Sequence, residues 1–178
     1  MSGFLPAIND KLREFIGSQK MFFVATADSD GRINLSPKGM DTLRIVKDNR
    51  LIWLNLTGSG NETAAHLIAN NRITIMFCAF EGKPLILRIY GSGTIVHPSD
   101  ETWDDLMPLF PKIGGGRQIF DIAIESVQTS CGFAVPYYDY KGQRDLLTKW
   151  TENKGDEGIK SYWKERNQLS IDGKPTDL

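Results

Sequence analysis

One stretch concentrates groups that could hold an anion: Leu54-Asn55-Leu56-Thr57-Gly58-Ser59-Gly60-Asn61-Glu62-Thr63. The apolar run Leu51 to Leu56 reads as a strand, a helical pattern runs from Thr63 to Ile68, and a small-residue turn lies between them. A turn in that place sits at a helix N-terminus, where unpaired N–H groups and the positive dipole end attract negative charge. Gly58 and Gly60 allow close backbone approach, and Thr57, Ser59, Asn61 and Thr63 can donate hydrogen bonds to phosphate oxygens. The same residues fit a second reading. Ser59-Gly60-Asn61-Glu62 matches the S-x-x-E capping box, which satisfies those N–H groups internally, and taken alone this is the stronger reading. Glu62 would also repel a phosphate, so cations must come from elsewhere. The candidates are Lys38, set between Pro37 and Gly39, and Arg88, set inside the apolar run Leu85 to Gly91. Two-residue periodicity places Ile86, Arg88 and Tyr90 on one strand face, so Arg88 is either an outward-facing charge on a one-sided sheet or a cationic anchor.

Other reactive residues are sparse. His66 and His97 are the only histidines and form no HxxxH pair, and Cys78 and Cys131 form no CxxC, so no metal site is expected. Cys78 reads as a buried core thiol and Cys131 as a packing residue. Tyr137, Tyr138 and Tyr140, with Arg144 and Trp150 nearby, form an aromatic cluster. Its plain reading is lid or interface packing, and its functional reading is a wall of a ligand pocket. Trp53, Trp103 and Trp163 read as packing residues. No dedicated catalytic acid or base stands out, so the catalytic residues are left unassigned.

The elements that must position these groups are mostly strands. Residues 5–16 carry the three-and-four apolar spacing of an amphipathic helix. β-rich runs follow at 21–27, 33–36, 42–46, 51–56, 73–80, 85–96 and 119–127, with turn chemistry at Asp28-Ser29-Asp30-Gly31 and Asp48-Asn49. Gly91 and Gly93 mark bulge or bend points. A short helix is expected at 100–109, and a helical tail begins near residue 144 and resumes at 159–168. Ser170 to Leu178, polar with Gly and Pro, is expected to be loose. Many strands with few helices point to a strand-dominated barrel rather than alternating βαβ units.

The bulk numbers set limits. A chain of 178 residues, 40% apolar and 24% charged, suits a single domain over residues 1–178. A net charge of −1 argues against nucleic-acid binding, and no apolar run reaches the roughly 20 residues of a membrane helix. Two distant cysteines and a charged first 20 residues suit a cytoplasmic location.

Five blocks in order resemble the pyridoxamine 5′-phosphate oxidase-like family of FMN-binding split barrels over roughly residues 20–130. They are Asn34-Leu35-Ser36-Pro37-Lys38-Gly39; Leu56 through Leu67; Met76-Phe77-Cys78-Ala79-Phe80-Glu81-Gly82; Leu87-Arg88-Ile89-Tyr90-Gly91; and Gln128-Thr129-Ser130-Cys131-Gly132. The resemblance implies a mainly β (α+β) fold. Its core would be a six-stranded antiparallel Greek-key split barrel at about 20–130, with flanking helices and a helical tail at about 141–170. It implies a homodimer with FMN at the interface. The ring would lie along Ser36, Pro37, Lys38 and Gly39. The phosphate would lie at Thr57, Gly58, Ser59, Asn61, Glu62 and Thr63, with Arg88 facing the cofactor. Tyr137, Tyr138 and Trp150 would then border a substrate pocket. Where the named oxidases carry an Arg-Lys pair this chain has Glu62 and Thr63, and its end lacks their basic, Trp-containing segment. The implied function is therefore an FMN-dependent oxidoreductase of a related bacterial branch, acting on an unidentified small molecule, and not the true vitamin B6 oxidase. The alternatives are a flavin- or haem-binding module without turnover, and a deazaflavin-dependent reductase.

Overall fold

The computed structural model describes residues 3–178. Eight antiparallel strands pair in one sheet: β1 (Gly3–Leu5), β2 (Phe22–Thr26), β3 (Asn34–Lys38), β4 (Leu43–Lys47), β5 (Arg50–Leu56), β6 (Arg72–Cys78), β7 (Ile86–Val96) and β8 (Gly116–Ser130). Their lateral order is β3-β2-β6-β7-β8-β5-β4, with β1 added along β8. The chain leaves β5 through a helix and enters the β6-β7-β8 meander, whose last strand comes back to pair with β5, and this long crossing gives the Greek-key connection. Helices α1 (Asp10–Ser18), α2 (Glu62–Asn70), α3 (Glu101–Leu106) and α4 (Leu146–Arg166) flank the sheet.

The sheet curls around one core. Alternation in β2 sends Phe22 and Val24 inward, where they meet Leu51, Trp53, Ile75, Phe77, Leu87, Ile89, Phe120 and Ile122. Helix α1 starts where Asn9 accepts a hydrogen bond from the Leu12 N–H at 3.0 Å, and its Leu12 and Ile16 close onto this core. Each such burial contributes about 1.5–3 kcal/mol. β5 is buried on both faces. Ile52 and Leu54 meet a second cluster of Val96, Leu106, Phe110 and Ile119 under α3, which explains the unbroken apolar run in the sequence. β3 and β4 are the two edges of the curled sheet and do not pair with each other, so the barrel is split along the seam between them.

The mainly β split barrel is as expected, with differences in detail. The sheet has eight strands rather than the six that the resemblance implies: all seven β-rich runs of the sequence pair, and the short β1 joins along β8. The first helix begins at Asp10 and not at residue 5, because Gly3–Leu5 extends along β8 and Asn9 supplies the cap. The bulge expected at Gly91 is present: the β7–β8 register shifts between Tyr90 and Gly91. A Cβ there would run into the Ala123 carbonyl oxygen, so only glycine fits.

The C-terminal segment is not loose. Asn167, Ser170 and Thr176 are buried, and the Ser170 N–H donates to the Lys174 carbonyl at 2.8 Å. Lys174 pairs with Asp28 and Asp30, and Asp172 accepts from the Arg32 backbone N–H at 2.8 Å. Asp172 and Lys174 thereby fasten the segment to the β2–β3 loop. Cys131, expected to pack, is exposed, whereas Cys78 is buried. Among the described residues, no helix is long and apolar enough to cross a membrane.

Candidate functional site

The seam opens into a cleft of about 600 Å³ lined by β3, by β5 from Trp53 onward, by the turn into α2, and by Arg117, Leu147 and Ile171. That volume lies within the roughly 300–1,000 Å³ range of ligand pockets. Three segments distant in sequence meet here because β3 and β5 stand on opposite sides of the split and α2 starts where β5 ends.

β3 builds one wall. Its pleat turns Asn34, Ser36 and Lys38 inward and leaves Leu35 and Pro37 exposed. It pairs only with β2, so its other edge offers unpaired backbone groups to the cleft, and Pro37, which has no N–H, is tolerated on such an edge. The Lys38 ammonium lies 5.1 Å from the centre of the Trp53 ring. Burial, and then repulsion from Arg117, pull its pKa down to about 8.

The turn builds the other wall. The capping box does not form: the N-cap residue of α2 is Asn61, and its side chain makes no capping bond. That side chain belongs to a buried amide cluster instead. Asn55 donates to the Asn61 Oδ1 at 3.0 Å, and the Asn61 Nδ2 donates to the Gln118 Oε1 at 3.0 Å. The first turn of α2, with Glu62 and Thr63 on the cleft, therefore faces it without a side-chain cap. The Thr57 hydroxyl is also committed, donating to the Gly115 carbonyl and accepting from the Trp163 Nε1 at 2.8 Å. Glu62 accepts the Ile171 N–H, which ties its carboxylate to the C-terminal segment. Ser59 and Gly58 are exposed at the tip.

Ten of the expected residues line this cleft together: Ser36, Pro37, Lys38, Gly39, Thr57, Gly58, Ser59, Asn61, Glu62 and Thr63. Arg88 does not join them. Leu87 and Ile89 enter the core, so Arg88 points to the outer face, where its Nη1 donates to the Ser130 hydroxyl at 3.2 Å. Tyr137, Tyr138 and Trp150 also lie away from the cleft within this chain. The Tyr138 ring packs 5.3 Å from Phe80, Tyr137 is exposed, and Trp150 packs edge-on against Tyr162, 5.1 Å away, across the break in α4 at Gly155. Among the described residues, no three His, Cys, Asp or Glu side chains gather as a metal site.

Sequence reasoning missed Arg117, Gln118, Trp163 and Asn167. Arg117 is 3% exposed and lies at the start of β8. Its Nη1 donates to the Asn167 Oδ1 at 2.8 Å and its Nη2 to the Gly60 carbonyl at 2.7 Å, while its Nε finds no partner. Asn167 in turn donates to the Gly58 carbonyl at 3.1 Å. The signal was available: Arg117-Gln118 is a polar pair opening an apolar strand, the same anomaly that drew attention to Arg88.

A family model described as pyridoxamine 5′-phosphate oxidase matches residues 8–131. The pyridoxamine 5′-phosphate oxidase family protein ustO of Aspergillus flavus is 32% identical over 192 residues, spanning 97% of this chain and 76% of that protein. HupZ from Group A Streptococcus superimposes with a TM-score of 0.56 at 22% identity, covering 67% of this chain and 91% of that one. A FAD-binding protein of Mesorhizobium loti gives a TM-score of 0.51 at 14% identity, covering 73% of this chain and 99% of that one.

Proposed function

This chain belongs to the pyridoxamine 5′-phosphate oxidase family, and from that premise we propose that it is a flavin-dependent oxidoreductase whose seam cleft holds FMN. The observation that carries the reading is the convergence of β3, the glycine turn and the uncapped start of α2 on one cleft. The residues present suit such a cofactor. The free edge of β3 can hydrogen-bond the polar rim of a flat ring, and the first turn of α2 can receive a phosphate. Bound flavin would supply hydride and electron transfer. The chain's own part is to bind and orient. Lys38 adds positive charge at the inner end of β3, where it would favour negative charge on the ring's pyrimidine edge. With a pKa near 8, its Nζ can hold or release a proton close to neutral pH. A second hollow of about 320 Å³ shares Gly39 and Thr42 with the cleft and gives a small-molecule substrate room beside β4.

A homodimer completes the site. Ile33 and Leu35 on the rim of the cleft are 77% and 64% exposed, and Phe133, Tyr137 and Tyr138 are exposed on the segment after β8. A second copy would cover these faces. It would also let the outward-facing Arg88, and the Tyr137–Tyr138 segment, serve the partner's flavin. Glu62 and Thr63 take the places of the Arg-Lys pair of the vitamin B6 oxidases, so the turn brings no cation of its own to the cofactor phosphate.

Titration of flavin-free protein with FMN, read by visible spectrum and by size-exclusion chromatography, tests this. Saturable uptake by a dimer, with bleaching on anaerobic addition of NADH or NADPH, is expected. Arg88→Ala should weaken uptake relative to Lys154→Ala. A protein that takes up no FMN refutes the reading, and a haem Soret band without flavin uptake replaces it with a haem-binding module.

A further inference from the structure

We propose that Arg117 is the anion anchor of the seam cleft and that it selects a ligand ending in a phosphomonoester, so that FMN is taken in preference to riboflavin and to FAD. This rests on the flavin reading above and adds to it a residue and a selectivity.

A buried guanidinium ordinarily sits against a carboxylate, because burying an unpaired charge is costly. Arg117 has no such partner. None of the ion pairs among the described residues includes it, although Arg13, Arg32, Arg44 and Arg50 each have an aspartate. Its acceptors are the neutral oxygens of Asn167 and Gly60, and its Nε–H has none. Burial pulls its pKa down to about 10, and its charge in turn depresses Lys38. Two mutually repelling cations therefore line one cleft, next to a helix N-terminus whose N-cap side chain makes no capping bond. A dianion placed among them would offset all three costs at once.

The reading of Arg117 as a plain strut between the turn and the C-terminal segment accounts for less. Asn167 already ties itself to the Gly58 carbonyl, and a neutral side chain could reach Gly60 without desolvating a charge.

The termination at a phosphomonoester follows from what lies behind Arg117. Trp163 bonds to Thr57, Asn167 to Gly58, and the buried Thr176 donates to the Asn167 carbonyl, so the back of the turn is closed by protein. A ligand that reaches Arg117 ends there. The second phosphate and adenosine of FAD, continuing past Arg117, would meet Trp163 and Asn167.

The test measures dissociation constants for FMN, riboflavin and FAD by flavin fluorescence quenching, on wild type, Arg117→Gln and Arg117→Lys. Charge-assisted hydrogen bonds set the expected scale. Wild type should bind FMN at least about tenfold more tightly than riboflavin or FAD. Arg117→Gln should lower FMN affinity about 10- to 100-fold and leave riboflavin affinity unchanged, with Arg117→Lys in between. Equal losses for FMN and riboflavin would show a strut and overturn the anchor. So would a wild-type FMN-to-riboflavin ratio near one, which decides the matter even if Arg117→Gln does not fold. Wild type that binds FAD as well as FMN overturns the selectivity. If wild type binds no flavin at all, the flavin reading fails by itself. The anchor is then decided by inorganic phosphate, which should raise the melting temperature of wild type but not of Arg117→Gln; an equal response in both overturns it.

Discussion

Lys38→Met should make the flavin-free protein more stable while weakening its hold on FMN. The Lys38 ammonium lies at the inner end of β3, half-buried against Trp53, and no ion pair among the described residues includes it. Its folded pKa is about 8 against 10.5 for a free lysine. A depression of that size corresponds to about 3 kcal/mol of destabilisation while the group is charged. The contact with the Trp53 ring and the remaining access to water return roughly 1 kcal/mol, which leaves about 2 kcal/mol. The pH dependence follows from proton counting. Between pH 8 and 10.5 the unfolded chain holds the lysine proton and the folded chain does not, so wild-type stability rises with pH across that window. The penalty is complete below pH 8. Urea unfolding of the flavin-free proteins, followed by tryptophan fluorescence from about pH 7 to 10.5, should show Lys38→Met ahead by about 2 kcal/mol at pH 7. The lead should shrink steadily above pH 8, and groups common to both proteins cancel in the difference. A lead that is absent at pH 7, or that does not change with pH, would refute the claim that Lys38 is held in the cleft against its own stability.

Two other substitutions probe the frame around the cleft. Gly91→Ala forces a methyl into the Ala123 carbonyl at the β7–β8 bulge, and urea unfolding should show a loss of about 1–3 kcal/mol with an unchanged slope. Asn167→Ala leaves the Arg117 Nη1 and the Gly58 carbonyl each without its Asn167 partner. It should lower stability by about 1–3 kcal/mol and lower FMN affinity as measured by fluorescence quenching; unchanged values in both would show that the C-terminal segment does not hold the turn.

The seam cleft was largely legible in the sequence because its walls are local. Asn34 to Gly39 and Leu54 to Thr63 each carry their own pattern, an alternating edge strand and an apolar strand running into glycines, and local pattern is what a sequence displays. What was not legible depends on partners far along the chain. Ser59 and Glu62 satisfy the capping-box spacing, yet the N-cap position falls on Asn61, which is held by Asn55 and by Gln118, the latter 57 residues away. Ser170 to Leu178 reads as a loose polar end until Lys174 meets Asp28 and Asn167 meets Arg117. Arg88 and Arg117 pose the same puzzle in sequence, a charge within an apolar strand. Two-residue periodicity tells which neighbours share a face but not which face turns inward. Leu87 and Ile89 settle that for Arg88 by filling the core, and the C-terminal segment settles it for Arg117 by covering it.

The distribution of charge separates what holds the fold from what waits for a ligand. Arg50 lies against Asp121 at 2.7 Å, Arg44 against Asp41 at 2.7 Å, and Lys174 between Asp28 and Asp30, each pair at least partly open to water. Such pairs contribute little, about 0–1 kcal/mol each, and they cost little to keep. Lys38 and Arg117 are the reverse case. They are withdrawn from water, they repel each other, and among the described residues neither takes part in an ion pair. At Lys38 a hydrophobic side chain of similar length would give a more stable barrel. The natural reason to keep two such cations in one cleft is an anion that the folded chain does not itself supply, and the start of α2, without a side-chain cap, opens on the same cleft. Glu62 fits this account, because its carboxylate is turned to the Ile171 N–H, where it fastens the C-terminal segment over the turn.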